Sequence, residues 1–231
     1  MGTDNFFARQ KAKKLERKIN SKDPKVNSFL IVTEGEKTEP LYFDGLSKYI
    51  ENKYGSSIDV KPIITICGKG KCTVSLVNEA AKIRERAPIF YQNAWVVFDK
   101  DDFDDFDSAI ELARKLDLKV AWSNQSFEYW LYLHFQCSDS ALHRDEWLNK
   151  LSDEFKKRGI NSKGYEKNNK DIFDICTQYG SLRAAVKNAK RIKQVYDGED
   201  REVLPSKQDP STTVHNLILE LEPYISELLK K

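Results

Sequence analysis

The chain has 231 residues, of which 40% are hydrophobic and 32% charged, so it can build a sizeable core and is not expected to be disordered. Because 38 Lys and Arg residues face 36 Asp and Glu residues, the net charge is only +2, and any nucleic-acid surface must come from uneven placement of charge. The four cysteines form no Cys-x-x-Cys pair, which disfavours a disulfide scaffold and a zinc ribbon. The chain has neither an apolar leader nor a run near about 18 apolar residues, which disfavours secretion and membrane spanning. We therefore predict a cytoplasmic protein without a membrane partner.

Three regions follow from the distribution of residue types. Residues 1–27 are predicted to form a basic N-terminal arm, since eight Lys and Arg residues stand against three acids within 1–25; it is either a helix ordered by a partner or a solvated tail. Residues 28–138 alternate between strand-like and helix-like patterns, which predicts an α/β core. Residues 139–231 carry helix-like patterns alone, which predicts a helical region packed on that core.

Short apolar, β-branched runs mark four strands in the core region. They are continuous rather than alternating, as expected for strands buried on both faces, and each is followed by a helix-like stretch, as in parallel βαβ units. We therefore predict an α/β fold with a mainly parallel four-stranded sheet flanked by helices and followed by a C-terminal helical extension. The strands are predicted at 28–33, 59–67, 94–99 and 118–124. The helices after the first and second strands are predicted to end near residues 52 and 86, and those after the third and fourth to span 107–116 and 126–136.

The last predicted helix of the C-terminal region contains residues that typically begin or interrupt a helix. Ser211 follows Pro210 and is a favourable N-cap, whereas Pro223 should break or kink the helix. The helices of this region are predicted at 143–158, 169–178, 181–196 and 211–230.

Acidic residues follow three of the predicted strands. Glu34 comes after the first strand, Asp99 and Asp101 come at the end of the third, and Glu128 lies in the first turn of the helix after the fourth. Because ligands bind at the carboxyl ends of parallel strands, these carboxylates are expected to meet at one edge of the sheet. They are the candidate catalytic residues.

The spacing of Asp99 and Asp101 suits a shared cation. Residues i and i+2 of an extended chain point the same way, with Cα atoms roughly 6–7 Å apart, and Mg²⁺ needs few carboxylates because it keeps several waters. Glu34, Asp99 and Asp101 are therefore candidate ligands for Mg²⁺, with Mn²⁺ as a substitute; adding Glu128 leaves one ion or two open. Ordinary alternatives are a solvated acidic loop, a helix cap near Asp107, and a dipole-favoured Glu128.

Basic residues offer candidate phosphate contacts in several places. Lys37 lies in the loop after the first strand, and Lys69 and Lys71 lie in "GKGKCT" (68–73) after the second. The second loop either cradles a phosphate or is an ordinary turn before a helix. Neither of these two loops has a Walker A sequence. The predicted helix 181–196 has a cationic side, which either contacts a nucleic-acid backbone or is simply solvated. This side comprises Arg183, Lys187, Lys190, Arg191 and Lys193, of which the first four are the candidate phosphate contacts.

Two further features are kept as hypotheses. The charged segment 156–170, which contains Tyr165, is either a stacking and phosphate-binding loop or a connector between helices. Accessory site candidates are Glu36, Glu39, Asn124 and His215.

Four motifs, in this order, resemble those of the RloB-like family: "IVTEGEKTEPLYFDGL" (31–46), "VVFDKDDF" (96–103), "WSNQSFEYWLYLHF" (122–135) and "DPSTTVHNLI" (209–218). The resemblance covers about residues 30–218 and implies a Toprim-type fold, whose signature is a Glu after the first strand and an Asp-x-Asp after the third. By this resemblance Asp99 and Asp101 would hold Mg²⁺, and Glu34 would bind metal or act as a general acid or base in phosphoryl transfer. Glu128 would correspond to the extra carboxylate of two-metal Toprim nucleases.

The same resemblance implies a biological setting. RloB-like proteins are encoded in bacterial restriction and phage-defence islands, often beside an AAA-type ATPase with an ABC-like head. This implies a Mg²⁺-dependent nuclease that acts on DNA or RNA in anti-phage defence, with a separate ATPase subunit because this chain has no ATPase motif; a homo-oligomer is left open. The alternative is a non-catalytic sensor that binds nucleic acid or a nucleotide. A haloacid-dehalogenase-type phosphatase is disfavoured, because that family carries its nucleophilic Asp on the first strand of its core and here the Asp-x-Asp follows the third.

Overall fold

The fold is described from a computed structural model of the chain. The described residues are 27–55, 63–68, 73–102, 104–198 and 203–230. The predicted N-terminal arm, apart from Asn27, lies outside the described residues, as do the predicted phosphate contacts Lys69 and Lys71.

Four parallel strands form the sheet. The central strands are β1 (Ser28–Thr33) and β3 (Asn93–Lys100), and the edge strands are β2 (Ile63–Gly68) and β4 (Lys119–Asn124), in the order β2-β1-β3-β4. Every residue of β1 is buried, because helices cover its apolar run on both faces. The four predicted strands and their parallel pairing are confirmed for the described residues.

Helices cover both faces of this sheet, which confirms the predicted α/β class with a C-terminal helical extension and is consistent with a Toprim-like fold. No helix in the described part of the chain is long and apolar enough to cross a membrane. The helices are α1 (Thr38–Tyr54), α2 (Thr73–Arg86), α3 (Phe106–Lys115), α4 (Phe127–Tyr132), α5 (Arg144–Lys157), α6 (Ile172–Gln178), α7 (Leu182–Asp197), α8 (Val214–Glu220) and α9 (Glu222–Ile225), with a 3₁₀ turn at Pro205–Lys207.

Successive residues of the central strands pack into two different hydrophobic clusters, because side chains alternate across a strand. Phe29 and Ile31 of β1 belong to a cluster with α1, α4 and the helices of the C-terminal region. Leu30 and Val32 belong to a second cluster, with α2 and α3 on the opposite face. The C-terminal helices therefore share a core with the sheet.

The segment before α8 pairs with the edge strand β4. The backbone N–H of Asn124 donates to the carbonyl of Ser211 at 2.8 Å. The prediction that Ser211 caps the last helix is wrong, since this residue is engaged by β4 and α8 begins after Thr213. The predicted break at Pro223 is confirmed, because a second short helix, α9, starts there with Pro223 in its first turn.

Candidate functional site

A cleft of about 560 Å³ lies at the edge of the sheet where the strands end. Its walls come from the segment after β1, the end of β3, the start of α4 and the loop between α5 and α6, which is the position expected for a ligand site in a parallel sheet. The lining residues are Gly35, Glu36, Lys37, Thr38, Glu39, Asp99, Phe127, Glu128, Lys167 and Asn168.

Glu34 and Asp99 are neighbours beside this cleft. The backbone N–H of Glu34 donates to the carbonyl of Val97 at 2.8 Å, so the chain remains paired with β3 just past the end of β1. The backbone N–H of Asp99 donates to Glu34 Oε2 at 3.1 Å, and the backbone N–H of Phe127 donates to Asp99 Oδ2 at 2.9 Å. Three strand-end segments are thus joined through two carboxylates.

Burial and mutual repulsion oppose ionisation of these acids. Burial, opposed by the hydrogen bond from Asp99 and reinforced by the charge of Asp101, raises the pKa of Glu34 from 4.5 to about 7. Burial and the charges of Glu39, Glu128 and Glu34 raise the pKa of Asp99 well above its usual value. Burial, together with the charge of Glu128, also raises the pKa of Glu39. The fold therefore favours the protonated form of these three acids.

Gly35 allows the Glu39 carboxylate to fold back on the chain. The backbone N–H of Gly35 donates to Glu39 Oε1 at 3.2 Å, and a Cβ atom at Gly35 would overlap the same carboxylate. This close approach explains the Gly between the two acids of the "EGE" sequence. It also places Glu39, one of the accessory candidates, inside the acidic cluster.

The turn from β4 to α4 is held in an unusual conformation. Gln125 has a φ of 70°, in the left-handed region that residues other than Gly seldom adopt. Its backbone N–H donates to the carbonyl of Lys100 at 3.1 Å, and its Nε2 donates to Asp209 Oδ2 at 3.1 Å. These bonds fix the turn that delivers Phe127 and Glu128 to Asp99.

Glu128 is the least exposed acid that lines the cleft, with 4% of the residue exposed. The Tyr165 hydroxyl donates to Glu128 Oε1 at 3.3 Å, and Lys167 Nζ lies 3.6 Å from the same oxygen. Thr38 Oγ1 lies 3.4 Å from the Tyr165 hydroxyl and donates to the carbonyl of Lys167 at 3.1 Å. The loop between α5 and α6 is therefore joined directly to the carboxylates at the sheet edge.

Asp101 lies near Glu34 but does not line the cleft. Its charge raises the pKa of Glu34, and the Lys100 ammonium donates to its backbone carbonyl. Asp102 pairs with Arg144 at the start of α5. The structure therefore places Asp99 and Asp101 differently, although they are only two residues apart.

The rest of the acidic loop has structural partners. Asp105 accepts hydrogen bonds from Thr73 Oγ1 at 2.8 Å and from the backbone N–H of Val74 at 3.2 Å, which caps the start of α2. Asp107 accepts from the backbone N–H and the hydroxyl of Ser206, at 2.9 and 2.5 Å. Solvation alone is therefore the wrong interpretation of this loop.

The donor chemistry of the cleft suits a hard divalent cation. Mg²⁺ prefers oxygen ligands, and the half-buried or buried carboxylates Glu34, Glu39, Asp99 and Glu128 repel one another. Among the described residues, no three Asp, Glu, His or Cys side chains are arranged to hold a metal ion together. Mg²⁺ is commonly held by one or two carboxylates together with waters and substrate phosphates, and these residues fit a site of that kind.

The remaining candidates fall into two groups. Glu36 and Lys37 are exposed and line the cleft. Asn124 is buried, and its amide donates to the carbonyls of residues 205 and 208, at 3.3 and 3.0 Å, so it anchors the C-terminal segment rather than reaching the cleft. His215 is also buried, with Nδ1 3.1 Å from the Thr212 carbonyl, and burial lowers its pKa to about 4.

Helix α7 presents the predicted basic face to the surface. Its opposite side is buried in the core, as the 3.6-residue repeat predicts. Arg183 donates to the carbonyl of Lys230 at 3.2 Å, and Arg191 lies 3.0 Å from the sulfur of Cys137. The exposed basic residues Arg183, Lys187, Lys190 and Arg191 line a second groove, of about 520 Å³.

The sequence interpretation did not select Thr38, Tyr165, Lys167 or Asn168 as site residues. The sequence feature that could have indicated them is the charged segment 156–170, which was interpreted either as a stacking and phosphate-binding loop or as a connector between helices. The structure instead buries Tyr165 and directs its hydroxyl to Glu128, from which it is separated by 37 residues of sequence. Local patterns carry no information about a contact over that separation.

Comparison with known proteins identifies one family. Residues 29–221 match the family described as RloB-like protein, a span that includes all four strands apart from Ser28, the cleft and α7. No curated protein and no solved structure matches the chain. Because the match covers most of the sequence and runs through every strand end that forms the cleft, the chain belongs to the RloB-like family.

Proposed function

We propose that this RloB-like protein is a Mg²⁺-dependent nuclease of the Toprim type, with Mn²⁺ as a substitute, that cleaves phosphodiester bonds of DNA or RNA in bacterial anti-phage defence. The observation that carries the proposal is the meeting of Glu34, Asp99 and Glu128, from three separate strand ends, beside one open cleft. Acidic side chains that repel one another at a ligand-accessible edge are costly to the fold, which favours a functional role for them.

The position of each acidic or basic residue relative to the cleft suggests its role. Asp99 and Glu34, which are joined by a hydrogen bond, are the proposed metal ligands, and Glu128 is the further carboxylate. Asp101, which lies near Glu34 but outside the cleft lining, is the third ligand proposed from the sequence. A divalent cation held there would polarise a phosphate oxygen and activate a water molecule for attack. Lys37, exposed at the mouth of the cleft, is placed to attract the anionic backbone.

Glu34 is the residue proposed to move the proton. Its pKa of about 7 in the metal-free protein lies near neutral pH, where a carboxyl group can both accept and return a proton efficiently. Its Oε2 accepts a hydrogen bond from the backbone N–H of Asp99, so the carboxyl group is held next to a residue that lines the cleft.

The exposed basic face of α7 is the proposed surface for the nucleic-acid backbone outside the cleft. Four cations on one side of a helix neutralise phosphates without reading sequence, so binding through them should weaken as salt rises. As its family membership suggests, we further propose that an AAA or ABC-like ATPase acts as a separate subunit, because the chain contains no Walker A sequence.

Two isosteric substitutions test the nuclease. Asp99→Asn and Glu34→Gln keep an oxygen that can accept the observed backbone hydrogen bonds but remove the negative charge. With Mn²⁺ present, we expect each variant to lose at least about 100-fold in cleavage of DNA or RNA substrates, while circular dichroism stays that of the wild type. Asp153→Asn, at an exposed position of α5, is the matched control and should cleave normally.

Wild-type cleavage by both variants would refute the proposal. If the wild type cleaves no DNA or RNA with either metal, yet binds nucleic acid or a nucleotide in the presence of EDTA, the protein is instead a non-catalytic sensor. Calorimetry with and without EDTA separates these outcomes.

A further inference from the structure

We propose that Lys167 is the resident counterion of the cleft: its ammonium group neutralises Glu128 when no metal is bound and competes with the divalent cation for that carboxylate. The inference rests on the proposed metal-dependent function and adds a control element to it. It assigns a role to the loop between α5 and α6, which lies far from the strand ends in the sequence.

The geometry places one cation against a group of acids. Lys167 Nζ lies 3.6 Å from Glu128 Oε1, and its charge also favours ionised Glu39. Glu39, Asp99 and Glu128 all line the same cleft. An ammonium group in this position occupies the electrostatic role that a bound Mg²⁺ would fill.

The two ends of the Lys167 residue are held very differently. Its backbone is fixed, because Thr38 Oγ1 donates to its carbonyl at 3.1 Å and the neighbouring Tyr165 packs edge-on against Phe155 with ring centroids 5.6 Å apart. Its side chain is 57% exposed, whereas the side chain of Glu128 is 5% exposed. The ammonium group can therefore leave for solvent while the acid stays in place.

This asymmetry decides which partner moves when a cation arrives. Glu128 is held by the Tyr165 hydroxyl as well as by burial, so its carboxylate remains in the cleft when the lysine departs. Solvent screens the pair from the side of the exposed ammonium group, and a divalent cation in the same acidic field gains about twice the Coulomb energy of an ammonium group. The lysine therefore weakens metal binding without preventing it.

Calorimetric titration of the metal-free whole chain with MnCl₂ at low ionic strength tests this competition without any cleavage assay. Lys167→Met removes the charge and keeps an unbranched apolar side chain, and we expect it to lower the Kd for Mn²⁺ about threefold. Lys167→Arg keeps the charge and should retain the wild-type Kd. Lys163→Met removes an equal charge from an exposed position of the same loop and should also leave the Kd unchanged.

The threefold gain of Lys167→Met should diminish in high salt, because the competing ammonium group is solvent-exposed and screened. An unchanged or higher Kd for Lys167→Met, or an equal gain in Lys163→Met, overturns the inference and leaves the proposed nuclease standing. If the wild type itself binds no Mn²⁺, the metal-dependent function fails and this inference fails with it.

Discussion

At the scale of single residues, the cleft carries acids whose ionisation the fold opposes. Glu34 and Asp99 are joined by a backbone hydrogen bond, yet burial and neighbouring charges raise the pKa of both. A group that the folded state keeps protonated stabilises the fold at low pH and loses that contribution as the pH rises. The acids therefore destabilise the metal-free protein at neutral pH, which links metal binding to stability.

Glu34→Gln should reveal this cost in the metal-free protein. The folded pKa of about 7 exceeds the ordinary value of 4.5, so the Glu34 contribution is fully present below about pH 4.5 and is lost as the pH rises through 7. We expect the variant to be more stable than the wild type at pH 8, by on the order of 2–3 kcal/mol, and equally stable at pH 4.

Urea denaturation of both proteins in EDTA between pH 4 and 8 measures this difference. The buried His134 and His215, whose pKa values burial lowers to about 4, are present in both proteins, so their opposite pH dependence cancels in the comparison. A stability difference that stays constant across the range would contradict the assigned burial of Glu34.

At the scale of secondary-structure elements, the acidic loop after β3 has several tasks. Asp99 enters the cleft, Asp102 pairs with α5, Asp105 caps α2 and Asp107 binds Ser206 before α8. A run of similar residues thus connects four elements. The number of acids in this loop therefore could not show which of them line the cleft and which hold helices in place.

Asp105→Ala should destabilise the protein by about 1–2 kcal/mol in thermal or urea unfolding. The substitution leaves the Thr73 hydroxyl and the Val74 N–H at the start of α2 without their acceptor. Asp104→Ala, at the exposed adjacent position, serves as the comparison and should change stability by less than about 0.5 kcal/mol. Equal losses in the two variants would argue against the cap.

At the scale of the whole molecule, the C-terminal helices complete the core and the site together. One cluster of buried residues runs from Phe29 on β1 to Ile225 on α9. Polar contacts follow the same path: Trp95 of β3 donates to Glu220 of α8 at 3.1 Å, and Tyr165 reaches Glu128. The two predicted regions should therefore unfold as one unit.

Leu217→Ala tests this cooperativity. Leu217 is fully buried on α8, in the cluster that includes β1, so its truncation should lower the free energy of unfolding by about 2–5 kcal/mol. Transitions followed by far-UV circular dichroism and by tryptophan fluorescence should shift together. Leu204→Ala, at an exposed leucine, should have little effect. Separate transitions for the two probes would mean that the helical region unfolds independently of the sheet.

Local residue patterns were sufficient to predict the strands, their parallel pairing and the grouping of acids at their ends. Short continuous apolar runs such as 28–33 and 94–99 are typical of strands that are covered on both faces, and the carboxyl ends of parallel strands lie at one edge of their sheet. Glu34, Asp99 and Glu128 could therefore be placed near one another before any contact was known. Their chemical roles remain predictions.

The side chains that complete the cleft depend on how distant helices pack against the sheet. Lys167 and Tyr165 meet Glu128 because α5 and α6 pack on the same face of the sheet as α4, and no local repeat encodes that contact. Asp101 lies outside the cleft lining although Asp99 lines it, and the pairing of this chain segment with β4 ends between them, at Lys100. Elements follow from local periodicity and chain order, whereas the partners of a charge depend on how distant elements pack.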